Sequence, residues 1–400
     1  MHTLEDQVML YSKNHPPLLS LTPGPVPVYP QVLHAMSRPV LYDYDDPYQA
    51  LYSRLIDKLQ VALRSRGRPM ILQGEPVLAL QAAAASLIAP GDKVLNLVSG
   101  PYGKGFADWV RRADADLLEI EVPDDQAIDP QSVADFLTKH PDITVVAVCH
   151  HETPCGTINP INEIGALVAA HGAHLIVDAV SSFAGMDTHP DDCHAAIYVT
   201  GPAKCLGAPP ALSIVAVSKL GWKKIEANPT APRNSVLSLL DWKQAGQNER
   251  KFPFTTSIAD INGLDAALDL YLEEGPQQVW HRHCLTASAF RAGVAAMGLS
   301  IWALNEKIAS PTTTVVRLPR GIADTDLIGL MRSRYGVLVS AGRGPTAGKA
   351  IRVGHMGPAA HPLHAISALV ALADGLSMLG NEIAIGDVIQ VAMRVINQST

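Results

Sequence analysis

The chain has 400 residues, 48% hydrophobic and 17% charged, with a formal net charge of −7 at pH 7. That length suggests two domains with a sizeable core, and the acidic balance gives no encouragement to nucleic-acid or anionic-membrane binding. Five cysteines, Cys149, Cys155, Cys193, Cys205 and Cys284, form no CxxC pair and leave an odd number, which argues for reduced thiols in a cytoplasmic protein. No apolar run reaches the ~18 residues of a membrane span. The N-terminus MHTLEDQVML lacks a basic region followed by an apolar one. The internal tripeptide Ser218-Lys219-Leu220 cannot act as a C-terminal peroxisomal address.

In chain order, residues 1–20 read as an extended arm and Leu21–Pro27 (LTPGPVP) as a proline-fixed irregular segment. Apolar residues at three and four spacing predict a helix over Pro47–Arg64. Strand-like and helical segments then alternate to about residue 217: Met70–Leu72, helix Val77–Ala89, Lys93–Val98, helix Gly105–Ala113, Asp142–Val148, helix Asn162–His171, and two buried strands, Leu175–Val177 and Ala196–Val199. This alternation is the pattern of a mainly parallel sheet with helices on both faces. Phe254–Ile261 leads into a helical stretch, Asn262–Glu274, that bridges to a second domain. Beyond Gly275, helices surround short strands at Thr312–Arg317, Gly336–Val339 and Ala350–Val353, and the pattern ends on a helix, Pro362–Leu379. The expected organisation is an arm over 1–20, a large α/β domain over 21–275 and a smaller α+β domain over 276–400.

The two buried strands carry the chemistry. The first delivers Asp178; twenty-six residues later the second delivers Lys204, after the turn Gly201-Pro202-Ala203 and before a small, rigid Gly-Ala-Pro-Pro segment. Ligands of an open α/β sheet sit at the carboxyl ends of the strands, so both residues are expected at one crevice. A lysine among apolar and small residues is poorly solvated, which lowers its pKa and frees its amine for a Schiff base. Asp178 is then the carboxylate that holds a pyridine nitrogen protonated.

Three further stretches bear on the site. The glycine-rich segment Val98–Phe106 follows a strand and suggests a phosphate-cradling loop, although it has neither Walker nor G-x-G-x-x-G spacing. The run Cys149-His150-His151-Glu152 offers possible zinc ligands, but adjacent residues at a strand end point in opposite directions and no second cluster completes a tetrahedral site. Arg343 and Arg352 stand nine residues apart, in Gly342-Arg-Gly and in Ala350-Ile-Arg-Val-Gly-His-Met-Gly.

The words VDAVSS and TGPAKCLGAPP resemble fold-type I pyridoxal-phosphate aminotransferases of the alanine–glyoxylate and serine branch. The resemblance implies a large domain with a mainly parallel seven-stranded sheet, a smaller α+β C-terminal domain, and Lys204 as the Schiff-base lysine. It implies further that Tyr102 stacks on the pyridine ring, that Thr153 of the H-H-E-T-P-C-G segment contacts that ring, and that Arg352 of R-V-G-H-M-G binds the substrate carboxylate, with Arg343 in reach of the same anion. Sites of this family complete across a dimer, and Phe254-Thr255 is expected to reach a neighbouring subunit of a homodimer or homotetramer.

The departures from that pattern are more informative. Relatives carry S-G-H at the helix start that holds the phosphate; here the place reads Gly74-Glu75-Pro76-Val77. The hydroxyl, the imidazole and one N–H are gone, and a carboxylate has been gained. The glutamine that precedes the Schiff-base lysine is here Ala203, which donates nothing from its side chain. Two unit charges ~4 Å apart repel by ~4 kcal/mol at an effective dielectric of ~20, against ~0.3–1 kcal/mol gained by a glutamate at a helix N-terminus. A site with Glu75 therefore suits an alcohol in place of a phosphate. In order along the chain, GEPVLALQAAAASL, YGKGF, CHHETP, TGPAKCLGAPP, FPFT and RVGHMG resemble the transaminases of this branch that take free pyridoxamine as a substrate. That resemblance implies pyridoxamine and pyruvate giving pyridoxal and L-alanine, with no tightly required cofactor and pyridoxal held as an aldimine on Lys204. Two alternatives stand beside it: a pyridoxal-phosphate-dependent aminotransferase of the alanine–glyoxylate type, and a non-catalytic B6-binding protein.

Overall fold

The computed structural model of the chain describes residues 18–247 and 252–398. The expected N-terminal arm therefore lies almost wholly outside the described residues; its last two, Leu19–Ser20 (β1), pair in parallel with a short strand at Val337–Leu338.

Seven strands build one sheet: Met70–Gln73 (β2), Lys93–Val98 (β3), Asp116–Glu121 (β4), Val145–Cys149 (β5), His174–Asp178 (β8), Ala195–Thr200 (β9) and Leu212–Val217 (β10). A two-strand hairpin, His151–Glu152 (β6) with Thr157–Ile158 (β7), stands between β5 and β8 in the chain. The spatial order is β2-β10-β9-β8-β5-β3-β4. β10 runs antiparallel to both neighbours, and the other pairings are parallel. Continuous apolar runs such as VVAVC and AAIYVT form these strands because both faces are covered, and every residue of β5, β9 and β10 is buried.

The helices follow the same logic. The helix Asp46–Leu63 buries Tyr48, Leu51, Tyr52, Leu55, Ile56, Leu59 and Leu63, the stripe that three and four spacing predicts, and ends on Arg64 in the left-handed region at φ 48°. The helix expected over Gly105–Ala113 starts four residues earlier and runs Pro101–Arg112. Its start is masked in the sequence by glycines, yet Pro101 occupies its first turn, where a missing N–H costs nothing. From Pro101 on, the stretch suggested as a phosphate loop is thus a helix. The chain also continues past the expected last helix into another, Ile385–Gln398, which buries Val388 and Ala392.

Among the described residues two large apolar cores result, beside a small cluster of Cys155, Trp302, Val315 and Ala350. One lies around the seven-stranded sheet; the other gathers Phe290, Val294, Val316, Met331, Ile351, Val353, Leu369, Leu372 and Leu376 with Leu21 from the N-terminal segment. A three-stranded antiparallel sheet, Thr313–Arg317, Ser340–Ala341 and Ala350–Gly354, belongs to the second region. No helix among the described residues is long and apolar enough to cross a membrane. The described cysteines are all unpaired, with Cys284 exposed and the other four buried.

Candidate active site

A cavity of about 400 Å³ opens at the carboxyl ends of the parallel strands, and its lining includes Glu75, Tyr102, His151, Asp178, Lys204 and Arg343. Sheet topology accounts for the gathering. β8 ends on Asp178 and β9 runs on to Lys204 beside it, while β2 hands the chain to Glu75 two strands further along.

Asp178 stands at the end of β8 in register with Cys149 of β5. Its Oδ1 accepts the Val180 N–H at 3.0 Å. Burial pushes its carboxyl up to about 6, against the pull of the Val180 N–H, the Cys149 thiol and the Lys204 charge. Lys204 is fixed by a compact turn in which Gly207 N–H donates to the Lys204 carbonyl at 3.0 Å and Ala208 N–H to the Pro202 carbonyl at 3.0 Å. Its Nζ donates to the Pro23 carbonyl at 2.9 Å, and burial lowers the pKa of the amine. A side chain on Gly24, held at φ +135°, would put a Cβ 2.0 Å from that nitrogen. The proline-fixed segment therefore meets the lysine at Pro23 and Gly24. Its glycine lets the backbone approach the lysine, a role that the residue pattern alone did not indicate.

Tyr102 occupies the first turn of the helix Pro101–Arg112. That turn is held by Glu152 of β6, a fully buried carboxylate whose two oxygens accept the N–H groups of Tyr102 at 3.0 Å and Gly103 at 2.6 Å. Burial pushes Glu152 up to about 7, with the two N–H bonds opposing. A Cβ at Gly100 would come within 2.7 Å of the Glu152 side chain. Glu152 was legible only as a possible metal ligand; its use as a helix cap from a distant strand leaves no local signature.

Arg343 places its guanidinium carbon 5.7 Å from the Tyr102 ring centroid, within cation–π range. Arg352, on the strand Ala350–Gly354, donates from Nε to the Ala341 carbonyl at 2.9 Å. Burial lowers its pKa, and Tyr102, Arg343 and Lys204 are among the groups it interacts with. Thr153 sits buried at the turn between β6 and β7 and is not among the residues that line the cavity. Its neighbourhood is tied to the segment that follows Arg343, since Thr346 Oγ1 donates to the Pro154 carbonyl at 3.1 Å.

Glu75 caps the helix Pro76–Leu87. Its Oε2 accepts the Val77 N–H at 3.1 Å and its carbonyl accepts the Leu78 N–H at 2.8 Å, while Pro76 has no N–H. The first three positions of this helix thus have no N–H directed at a ligand, and the exposed carboxylate stands at the cavity rim. Oriented N–H groups are what a helix start needs to hold a phosphate; this one has spent them on its own Glu75.

Residues 76–357 match the family profile of the class-V aminotransferases. The chain is 60% identical to the pyridoxamine–pyruvate transaminase of Mesorhizobium japonicum over 390 residues, covering 98% of this chain and 99% of that protein. Its fold superposes on the crystal structure of pyridoxamine–pyruvate aminotransferase from Mesorhizobium loti with a TM-score of 0.95 at 59% identity, over 98% of this chain and 100% of the other. It also superposes on ureidoglycine–glyoxylate aminotransferase from Bacillus subtilis with a TM-score of 0.90 at 27% identity, over 96% and 98% of the two chains. The chain belongs to the class-V aminotransferases, of fold type I.

Proposed function

We propose that this aminotransferase moves the amino group of free pyridoxamine to pyruvate, giving pyridoxal and L-alanine, with the vitamer as substrate. Members of the class-V family work with pyridoxal phosphate. The ring of that group fits the cavity, with Asp178 for the pyridine nitrogen and Tyr102 for a ring face. The phosphate does not fit the helix start. The observation that carries the reading is the Glu75 cap: the carboxylate fills the place of an anion, and its free oxygen can accept a hydrogen bond from a hydroxymethyl group. The 60% identity to a pyridoxamine–pyruvate transaminase supports the same conclusion.

The pyridinium ring supplies an electron sink when bound. The chain does the rest. Asp178, ionised, holds the proton on the ring nitrogen. Lys204, whose amine pKa is lowered by burial, carries a proton between the 4′ carbon of the vitamer and the α-carbon of the oxo acid. Arg352, with Arg343 beside it, binds the substrate carboxylate, and Tyr102 and Thr153 contact the ring.

Two apolar cores support a division near residue 275 into a large B6-binding part and a smaller C-terminal part. The exposed apolar side chains of Val40, Tyr42, Tyr44 and Phe254 support a homo-oligomer in which Phe254-Thr255 meets a neighbour's site. Unpaired cysteines support a cytoplasmic location. The test is direct. Apoprotein is incubated with pyruvate and either pyridoxamine or pyridoxamine phosphate, and alanine is measured. Alanine formed with pyridoxamine alone is expected, and strict dependence on the phosphate ester would favour the alanine–glyoxylate type instead.

A further inference from the structure

The helix Pro101–Arg112 begins without a cap of its own. Its N-cap position is Gly100, which has no side chain to offer, and Pro101 has no N–H. Of the N–H groups that open the helix, that of Lys104 donates to the Gly100 carbonyl at 3.0 Å. Those of Tyr102 and Gly103 remain, and Glu152 takes both, one on each carboxylate oxygen, at 3.0 and 2.6 Å. The carboxylate reaches them from the hairpin of β6 and β7, where the Glu152 carbonyl accepts the N–H groups of Cys155 at 3.0 Å and Gly156 at 2.8 Å. Packing leaves this fully buried side chain little slack. A Cβ at Gly100 would stand 2.7 Å from its carboxyl carbon, and one at Gly103 would stand 3.3 Å from its Oε1.

The arrangement fixes Tyr102 through its backbone. Tyr102 lines the cavity, and the Arg343 guanidinium carbon lies 5.7 Å from its ring centroid. A carboxylate suits two converging N–H groups because both of its oxygens accept; an amide has one accepting oxygen and turns an NH2 group toward the other N–H. Charge-assisted bonds of this kind add geometric precision as well as energy. We propose that Glu152 is the positioning residue of the aromatic wall: by holding both free N–H groups of the turn it sets the Tyr102 ring against the ring of the bound vitamer, and so governs affinity for the vitamer and not for the oxo acid. This rests on the reading of pyridoxamine as substrate with Tyr102 on its ring. The oxo-acid side has its own anchor, since Arg352 donates to the Ala341 carbonyl at 2.9 Å from the strand Ala350–Gly354.

The experiment is equilibrium binding of pyridoxamine to wild type, Glu152→Gln, Tyr102→Ala and the double variant. It is run at about pH 8, so that the Glu152 carboxyl, pushed up to about 7 by burial, is mostly ionised. Glu152→Gln is expected to weaken pyridoxamine by roughly three- to tenfold, up to the worth of one stacked ring pair. Tyr102→Ala should weaken it at least as much, and the double variant should bind no more weakly than Tyr102→Ala alone. In Glu152→Gln the KM for pyruvate, measured at saturating pyridoxamine, should stay within about twofold. A merely structural carboxylate would instead give losses that add in the double variant, or weaken both substrates alike. Either result overturns the proposal, as does unchanged pyridoxamine binding by Glu152→Gln. Should the glutamine variant fail to fold, Gly100→Ala makes the same test, because its methyl would push the carboxylate off the turn. Failure of wild type to bind pyridoxamine, or full binding by Tyr102→Ala, would remove the reading beneath the proposal, an outcome distinct from a Glu152 effect that is absent or additive.

Discussion

Replacing Glu75 with Gln isolates the charge at the helix start. The glutamine oxygen can still accept the Val77 N–H that Glu75 Oε2 accepts at 3.1 Å, so the cap and the helix Pro76–Leu87 should survive. What changes is the repulsion felt by a phosphate placed there. A pair of unit charges ~4 Å apart interacts by ~1 kcal/mol in water and ~4 kcal/mol at an effective dielectric of ~20. Glu75 is exposed, which puts the true value toward the lower figure, and a phosphate monoester brings roughly −1.5 to −2 charges. About 2 kcal/mol, or roughly thirtyfold in relative affinity, is the result. Pyridoxal phosphate should therefore gain on pyridoxal by that factor in Glu75→Gln. The preference need not reverse, because Pro76 and Ala203 still supply no donor. Pyridoxamine turnover should fall, since its hydroxymethyl group loses an ionised acceptor. Wild type and variant would be titrated with both aldehydes, following the absorbance of covalent attachment. An unchanged affinity ratio would refute the reasoning and leave Glu75 as a helix cap alone.

Lys204→Ala should abolish covalent attachment of pyridoxal and nearly all turnover while leaving the circular-dichroism spectrum intact; substantial residual transamination would remove the central assignment. Arg352→Ala should raise the KM for pyruvate by roughly ten- to a hundredfold, the loss of a charged hydrogen bond of ~1.5–3 kcal/mol, with little effect on pyridoxamine. Equal weakening of both would move the carboxylate site to Arg343. The melting temperature should fall as the pH drops below about 6.5. Burial holds His150 down to about 4 and His151, His283 and His355 down to about 3, so the unfolded chain gains protons there that the native chain refuses. Glu152, pushed up to about 7, and Asp178, pushed up to about 6, act in the opposite sense, since the native chain takes up protons first. Four imidazoles outnumber two carboxyls, and a melting temperature that rose on acidification would contradict this balance.

Much of the fold was legible because parallel strands covered on both faces are continuous apolar runs, and β3, β8 and β9 stand within a residue or so of their expected bounds. The outer strand β4 was missed. Its sequence DLLEIE is interrupted by charge and only half-buried, so it has no continuous apolar signal. The helix Pro101–Arg112 was shortened because glycines at 103 and 105 mimic a loop. Within the site, Asp178 and Lys204 could be paired from strand ends alone, whereas the proposed hostility of Glu75-Pro76 to phosphate was read from the departure from the family's S-G-H together with the added charge. Glu152 and Pro23 could not be placed, because each acts through a partner distant in sequence: Glu152 on the Tyr102 N–H and Pro23 on Lys204. Backbone hydrogen bonds of that kind are set by tertiary packing and leave no mark on residue spacing.

The central claim is that the vitamer enters and leaves without its phosphate. It is tested most directly by supplying wild-type protein with pyridoxal and pyridoxal phosphate together, at equal concentration, and trapping whatever attaches at Lys204 by borohydride reduction. The intact mass of the trapped protein identifies the ligand. An adduct carrying pyridoxal is the predicted result, and one carrying chiefly the phosphate ester would contradict it.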